Sequence, residues 1–160
     1  MPNWCQNHLE IDGNESDIAK LVESEFNFQK LRPCPYMDDK DESNKWWFWC
    51  MQNWSTRNII TEDIDWCIKT PTKLSLKFDT AWSPCFELLK YLTAEMPSLT
   101  MVHRYFESGI DIAGECHYID GIATEINIEQ PTFVRQHFNS EYGLNDEDEN
   151  IDEDDEEDVE

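Results

Sequence analysis

The sequence predicts an α+β fold: a ferredoxin-like antiparallel sheet with two helices on one face. Short runs of alternating apolar residues predict the strands, two segments with helical periodicity separate them, and turn signals such as Asp120-Gly121 predict hairpins. An extra C-terminal hairpin and a disordered acidic tail are expected to complete the chain. The predicted order is strand, helix, loop with a short helix, two strands, helix and three strands.

The chain is expected to begin with a strand over residues 4–11, which stops at the Asp12-Gly13 turn signal. Asn14 and the polar residues after it provide an N-cap for a helix. Four apolar residues recur at helical spacing and predict that this helix ends near residue 26: Ile18, Leu21, Val22 and Phe26.

Residues 27–44 have the composition of a long loop. Residues 45–54 are so rich in aromatic side chains that periodicity cannot separate helix from strand, and we favour a short buried helix. Weak alternation over 59–68 and clean alternation over 73–79 predict two strands that pair as a hairpin.

Ser83 and Pro84 predict the cap and first position of the second long helix, which Pro97 ends. Strands are expected over 99–106, 110–118 and 122–128. Within 131–142, the sequence is harder to interpret; one side of a short helix docked on the core is expected to consist of Phe133, Val134, His137 and Phe138.

Length and charge predict one domain and a tail. Residues 1–144 are expected to form a single domain with an insertion at 27–54, and residues 145–160 a disordered tail. The chain has 35 acidic and 12 basic residues and a net charge of −23, of which the tail carries −12 and the domain −11. Its 7 Trp, 8 Phe and 5 Tyr are too many for a wholly disordered acidic protein.

Several classes of protein are disfavoured. No apolar run reaches the roughly 18 residues that a membrane span needs, and the N-terminus resembles no secretory signal. We therefore expect a cytoplasmic protein without membrane contact. Its negative charge argues against direct binding to nucleic acid. The six cysteines include no close pair, which predicts buried free thiols rather than zinc ligands or disulfides, and no cofactor is expected.

Two clusters contain chemically reactive residues. Cys116 and His117 suggest a thiol nucleophile with its base, but neighbours on a strand point to opposite faces, which leaves His103 as the alternative base. Ordinary strand residues are favoured because no catalytic motif surrounds them. An acidic cluster is expected by chance in such a chain; it contains Glu62, Asp63 and Asp65. We expect no catalytic residue, no metal site and no enzyme activity.

Four segments, in the same order, resemble motifs of the YubB-like family of small plasmid- and phage-borne proteins. The segments are 1–7, 53–57, 78–84 and 112–115. The first is similar to the family's M-x-N-W-C-x-N, the second to N-W-G-T-K, the third to F-x-T-A-W-S-P-P and the fourth to F-A-G. The resemblance implies a ferredoxin-like domain and a mobile-element protein acting in a bacterial cytoplasm, and it implies no activity.

Two departures from these motifs concern one segment. Ser55 replaces the family's Gly, and Asn58-Ile59 replace its Trp-Asp. A family function located in this loop is therefore expected to be altered. The acidic tail also looks like an addition to the family's pattern.

Three tryptophans recur in the motif segments: Trp4, Trp54 and Trp82. One interpretation is an aromatic platform on the sheet, of the kind that stacks bases in RNA-recognition modules. The other is a Trp-rich core in which Asn3, Asn53 and Thr80 bind the indole N–H groups. The core is favoured, because single-strand binding normally needs a basic groove beside the aromatic residues.

The leading functional hypothesis is a phage or mobile-element protein that binds and inhibits a nucleic-acid-handling protein of its bacterial host. An anti-defence role such as anti-CRISPR, or host takeover, fits this description, and acidic nucleic-acid mimicry is the suggested mode. The partner is expected to have a basic nucleic-acid-binding surface. The candidate partner-binding residues are Asp38, Asp39, Asp41, Glu42, Trp46, Trp47, Trp49, Trp54 and Arg57.

The alternatives are a nucleotide or single-stranded RNA binding module and a small enzyme. For the tail, the alternatives to mimicry are a solubilising role and weak collection of divalent cations.

Overall fold

Six strands and four helices form the described part of the chain. The computed structural model describes residues 3–38, 44–57, 63–109 and 112–127. In order, the elements are β1 (Trp4–Asp12), α1 (Glu15–Glu23), α2 (Phe28–Leu31), α3 (Lys45–Asn53), β2 (Asp65–Lys69), β3 (Lys73–Ala81), α4 (Phe86–Glu95), β4 (Thr100–Glu107), β5 (Ile112–Ile119) and β6 (Ile122–Asn127).

The strands form one antiparallel sheet in the order β2-β3-β1-β4-β5-β6. The first four have the ferredoxin-like arrangement, with β1 between β3 and β4, and the β5–β6 hairpin extends the sheet beyond β4. Asp120 and Gly121 have positive φ angles of 51° and 75°, as a tight hairpin turn requires. The predicted fold class and the added hairpin are confirmed.

Alternation along β1 determines which side chains face the helices. Its buried residues Leu9 and Ile11 lie opposite Leu76 and Leu74 of β3, so the inner faces of the strands match. The helices cover this face with apolar residues that belong to the same core, namely Ile18 and Leu21 of α1 and Leu88, Leu89 and Leu92 of α4. Helices α1 and α4 therefore share one face of the sheet, as predicted.

An aromatic cluster fills the core beside β3. Phe26 packs on Phe78 with ring centroids 5.5 Å apart, and Phe28 lies edge-on to Trp54 at 5.7 Å. All four side chains are at most 3% exposed. This cluster connects α2 and the end of α3 to the sheet.

We call the opposite side of the sheet the outer face. It presents the remaining residues of each strand, which include the cross-strand rows Gln6–Phe106–Ala113 and His8–Arg104–Glu115. The described helices all pack on the other side of the sheet.

Several boundaries differ from the sequence predictions. Helix α1 has Asn14 as its N-cap but ends at Glu23, because Glu25 and Phe26 have positive φ angles of 56° and 52° and turn the chain. Part of the predicted loop 27–44 is helix α2, which Asn27 caps by accepting the Lys30 N–H.

The predicted strand 59–68 is shorter in the structure. It is confirmed only from Asp65, and it is not buried: β2 is an edge strand whose register is irregular between Trp66 and Ile68, and Ile68 is exposed. Residues 59–62 of this predicted strand, the helix predicted within 131–142 and the acidic tail lie outside the described residues. No helix in the described part of the chain is long and apolar enough to cross a membrane.

Gly114 on β5 provides a test of the sheet's packing. A Cβ atom at this position would lie 2.1 Å from the hydroxyl oxygen of Tyr105, whose ring covers the glycine and whose O–H donates to Glu125. We expect Gly114→Ala to lower the free energy of unfolding by about 1–3 kcal/mol, the usual cost of overpacking. Urea unfolding measures this. The control Thr100→Ala, at an exposed position on β4, should change stability by less than about 0.5 kcal/mol; equal effects would contradict the prediction.

Candidate functional site

Helix α3 contains most of the aromatic segment that the sequence analysis selected. The short helix is confirmed, but it is not buried as a whole, because Cys50 is its fully buried residue and Phe48 is 57% exposed. Trp46 and Trp49 are half-buried and pack against the core. The helix thus has an inner side that fixes it and an outer side that faces solvent.

Arg32 fixes the end of α3 in place. Its carbonyl oxygen accepts the indole N–H of Trp54 at 3.0 Å, and its guanidinium donates to the carbonyl of Asn53, also at 3.0 Å. The same guanidinium lies over the ring of Tyr91 on α4, 4.3 Å from the centroid. One side chain therefore connects α3, α4 and the segment after α2.

We call the outer side of this helix the α3 surface; it consists of Lys45, Trp47, Phe48 and Gln52. Phe48 packs edge-on against Trp47, with ring centroids 5.0 Å apart, while Lys45 and Gln52 are exposed beside it. A large aromatic side chain that is more than half exposed, on a helix whose other side is anchored, makes the α3 surface a candidate for contact with a protein.

The predicted partner-binding residues differ in their burial, and they do not form one surface. Trp47 is on the α3 surface, Arg57 is half-buried and Asp38 is exposed. Trp54 is 3% exposed and hydrogen-bonded to Arg32, so its inclusion among the surface residues was wrong. Three acidic candidates lie outside the described residues: Asp39, Asp41 and Glu42. The exposed Phe48 was missed, because every position of the aromatic run is apolar and no periodicity singles one out.

Two of the motif segments meet at the start of α4. Ser55 has a φ of 65°, and its hydroxyl accepts the backbone N–H of Glu87 at 3.1 Å. Ser83 donates its hydroxyl proton to the Ser55 carbonyl, and the buried Thr56 donates to the carbonyl of Ala81 at 2.9 Å. The predicted cap at Ser83 is therefore wrong: the helix begins at Phe86, and Ser55 supplies the capping oxygen from another segment.

A buried polar network lies on the inner face of β1, β4 and β5. Asn7 donates to the carbonyl of Cys5 and to the hydroxyl of Thr80, both at 2.9 Å, and its side-chain oxygen lies 2.8 Å from Nε2 of His103. Nδ1 of His103 is 3.3 Å from the hydroxyl of Tyr118. Because the oxygen of Asn7 can only accept, Nε2 of His103 carries the proton and Nδ1 accepts from Tyr118.

The network does not activate a nucleophile. Cys116 lies opposite His103 on the neighbouring strand, which gives the geometry that the alternative base required. Burial lowers the pKa of His103 to about 3, and burial raises the pKa of the Cys116 thiol. Both groups are therefore neutral near pH 7, and the thiolate that would attack a substrate is not formed.

His117 points to the outer face, opposite Cys116, as predicted. Its Nε2 lies 2.6 Å from one carboxylate oxygen of Glu115, and the other oxygen accepts from Arg104 at 3.0 Å. Arg104 also donates to Glu10 at 3.1 Å, so these side chains satisfy one another across three strands.

The other sequence candidates form no site within the part of the chain that the structure describes. Asp63 and Asp65 are exposed, Glu62 lies outside the described residues, and no group of metal-ligating side chains occurs in the ranges that the structure describes. Five of the six cysteines are buried free thiols as predicted, whereas Cys67 is exposed on the edge strand.

The three motif tryptophans do not share a face. Trp54 is in the core beneath the helices, while Trp4 lies half-buried on the outer face, paired with Ala81. Trp82 is 47% exposed after β3. For Trp54, the core interpretation is confirmed, with the Arg32 carbonyl as the partner of its indole N–H instead of the predicted side chains.

Two comparisons with known proteins find a match, one to a family model and one to a solved structure. The model of a family described as the ferredoxin-like domain in Api92-like protein matches residues 61–158, which include β2 to β6, α4 and most of the acidic tail. The crystal structure of a protein api92 from Yersinia pseudotuberculosis is similar, with a TM-score of 0.45 and 12% identity over 81% of this chain and 100% of that chain. No curated protein matches the sequence. The ferredoxin-like fold that the motif resemblance implied is confirmed, and the YubB-like attribution stays a prediction.

The cap from Ser55 leads to a prediction with two variants. Ser55→Ala removes the capping oxygen but keeps a Cβ at a positive φ, so it should lower the free energy of unfolding by about 1 kcal/mol. Ser55→Gly also removes the oxygen, but glycine adopts this conformation without strain, so the net change should be small. Urea unfolding of both variants compares them. A glycine variant less stable than the alanine variant would contradict this account.

His103 makes stability depend on pH. Its pKa of about 3 in the folded protein lies below the value of about 6.5 expected when the chain is unfolded. The unfolded chain therefore binds the proton first, and the free energy of unfolding should fall by about 1.4 kcal/mol per pH unit as the pH drops below about 6.

Two measurements check this pH dependence. NMR of the imidazole nitrogens should show a neutral His103 in the folded protein at pH 5, and a protonated ring at that pH would refute the prediction. In His103→Gln, the slope of the free energy of unfolding against pH, measured between pH 4.5 and 6, should be smaller. The difference should be nearly the contribution of one bound proton, which is about 1.4 kcal/mol per pH unit.

Proposed function

Because the chain belongs to the family of the ferredoxin-like domain in Api92-like proteins, whose scaffold does not itself specify a function, we propose that a binding surface on this domain is what acts. The protein binds and inhibits a nucleic-acid-handling protein of a bacterial host, such as a CRISPR effector, another defence nuclease or the transcription machinery. The YubB-like resemblance, with its phage and plasmid context, supports the host setting.

The exposure of Phe48 carries this proposal. Its ring is 57% exposed although the neighbouring Trp49 and Trp54 rings pack edge-on at 5.5 Å inside the domain. Burial of such an aromatic residue against a partner contributes more binding free energy than most contacts, because it removes a large apolar area from water.

The α3 surface is rigid enough to act as a preformed contact. The Arg32 side chain and the Trp54 indole hold the helix end through two hydrogen bonds and the stacking on Tyr91. A helix held in this way loses little conformational entropy when it binds, which favours affinity.

Charge selects the kind of partner. The described residues include 16 acidic and 10 basic side chains, and residues 145–160 add 12 acidic side chains and no basic one. Four of the described basic residues already pair with carboxylates: Lys20, Lys30, Lys90 and Arg104. The acidic surplus attracts a basic surface, and a basic surface that normally binds nucleic acid is blocked when it is occupied.

The Phe48→Ala variant tests the contact. Capture from lysate of a candidate bacterial host should yield a stoichiometric partner with the unaltered chain, and the variant should bind that partner at least tenfold more weakly, since truncated interface aromatic residues usually cost more than about 1 kcal/mol. Ile122→Ala is the matched control, because Ile122 is 67% exposed but lies on β6. Equal losses in both variants would argue against the α3 surface.

Two further outcomes address the partner's nature. Nucleic acid added to the isolated complex should displace the protein, because both occupy one basic surface. Single-stranded RNA that quenches the tryptophan fluorescence of this chain, with no protein partner captured at low salt, would instead favour the nucleic-acid-binding alternative.

Removal of residues 145–160 tests whether the acidic tail only accelerates association with the partner or also contacts the partner directly. This truncation deletes 12 negative charges and should lower the association rate at low salt by about tenfold or more, with a much smaller effect at 0.5 M salt. Association rates from surface plasmon resonance at several salt concentrations measure the change. A truncation that abolishes binding at every salt concentration would show that the tail is the contact itself.

A further inference from the structure

The turn after β3 holds a bulky residue in a left-handed backbone conformation. Trp82 has a φ of 69°. In this conformation the Cβ atom crowds a carbonyl oxygen of the backbone, and the strain lowers the folding equilibrium constant by roughly tenfold for a residue other than glycine. Glycine would adopt the same φ without this strain. The tryptophan at this position is therefore present at a cost to stability.

The contacts of the Trp82 side chain do not explain this strain. The side chain is 47% exposed, and it makes no hydrogen bond, ring contact or ion contact within the residues that the structure describes. Phe26 shows the opposite case: its φ is 52°, but its side chain is fully buried and packs on Phe78 with ring centroids 5.5 Å apart. Burial in the core offsets the strain at Phe26, whereas no comparable burial does so at Trp82.

Hydrogen bonds hold the turn on both sides of Trp82. The backbone N–H of Trp82 donates to the carbonyl of Asn3 at 2.8 Å, and the N–H of Ser83 donates to the carbonyl of Ala81 at 2.9 Å. The buried hydroxyl of Thr80 donates to the carbonyl of Ser83 at 2.7 Å. A strained residue persists only where the surrounding contacts determine its conformation, and such residues concentrate at binding sites. The indole is thus presented to solvent from a preformed turn.

Charge favours a cation as the ligand of this indole. The face of a tryptophan ring attracts cations more strongly than the other aromatic rings do. Two aromatic rings of the chain already bind cations in this way: Arg32 lies over Tyr91 at 4.3 Å and Lys69 over Trp66 at 5.1 Å. The 16 acidic and 10 basic side chains of the described residues attract a further cation and repel the phosphates of a nucleic acid.

We propose that Trp82 is a contact for an arginine or lysine side chain on the surface of a protein partner. The inference rests on the proposed function, because that function supplies a partner with a basic surface. It adds a second contact point, outside the α3 surface, and it names the chemistry of the group that is bound there.

Two substitutions test the strain. Both Trp82→Gly and Trp82→Ala remove the ring, but only glycine relieves the backbone, so the unfolding constant of the glycine variant should be about threefold or more below that of the alanine variant. Urea unfolding measures both. An alanine variant as stable as the glycine variant, or more stable, would overturn the premise that Trp82 is strained.

NMR of the full, isotope-labelled chain tests the contact, with a nona-arginine peptide as the probe. The indole N–H signal of Trp82, identified by its loss in Trp82→Phe, should shift and saturate, while the signal of the buried Trp54 should not move. A nona-citrulline peptide has a similar shape without the charge, and the concentration that produces half of the full shift should be about fivefold higher or more. A Trp82 signal that does not move, or that responds equally to both peptides, would overturn the proposal.

Single-stranded RNA provides the competing outcome. A uridine oligonucleotide that shifts the Trp82 signal at a lower concentration than nona-arginine would assign the ring to base stacking and refute the proposal. The titration uses the isolated chain and needs no host protein. Its failure therefore leaves the capture experiment on the α3 surface valid, and a failed capture does not change the result of the titration.

Discussion

The buried amide of Asn7 fixes the register on which both faces of the sheet depend. Asn7 lies at the middle of the central strand, where it donates to Thr80 of β3 and binds His103 of β4. A shift of either neighbouring strand by one residue would leave these groups buried without partners, at about 1–3 kcal/mol each, and would exchange the inner and outer faces. This hydrogen-bonded side chain and the apolar alternation of β1 therefore fix the same register, which sets the positions of the core, the helical layer and the outer face.

The motif segments that support the family resemblance have structural roles in this chain. Asn7 belongs to the first segment and Thr80 to the third, and they bind each other in the core. Ser55 and Thr56 of the second segment bind the backbone around the start of α4. The positive φ of Ser55 also explains why glycine suits this position in the motif. The motif residues thus hold the scaffold together.

Local patterns predicted the sheet well because the alternation of apolar and polar residues within a strand shows which of its side chains are buried. Clean alternation over 73–79 and the Asp120-Gly121 turn need no knowledge of distant residues, and both predictions were confirmed. The failures have tertiary causes. The cap of α4 comes from Ser55, which is 32 positions away from Glu87 in sequence, and no local pattern contains that information. Helix α2 is a single turn that the burial of Phe28 stabilises within a segment of loop composition.

The candidate surface was only partly predictable for a related reason. In an uninterrupted aromatic run, the tertiary contacts of the other residues determine which one is exposed. The contact of Trp54 with Arg32 is such a tertiary contact, because it connects two segments that are 22 residues apart. Once that contact places Trp54 inside, the turn of α3 directs Phe48 outward. Composition identified the aromatic segment, and tertiary packing decided which of its residues are exposed.

Charge and apolar contact act over different distances in the proposed complex. Attraction between exposed charges fades beyond the Debye length of about 8 Å at physiological salt, so in the proposed complex the 12 acidic residues of 145–160 guide approach only over short separations. The α3 surface, in contrast, gains free energy only on direct contact, where shape decides the partner. A partner selected by charge alone would include every basic protein of the host. In this proposal, selectivity comes from the aromatic α3 surface, and the tail contributes mainly to the rate at which that surface finds its target.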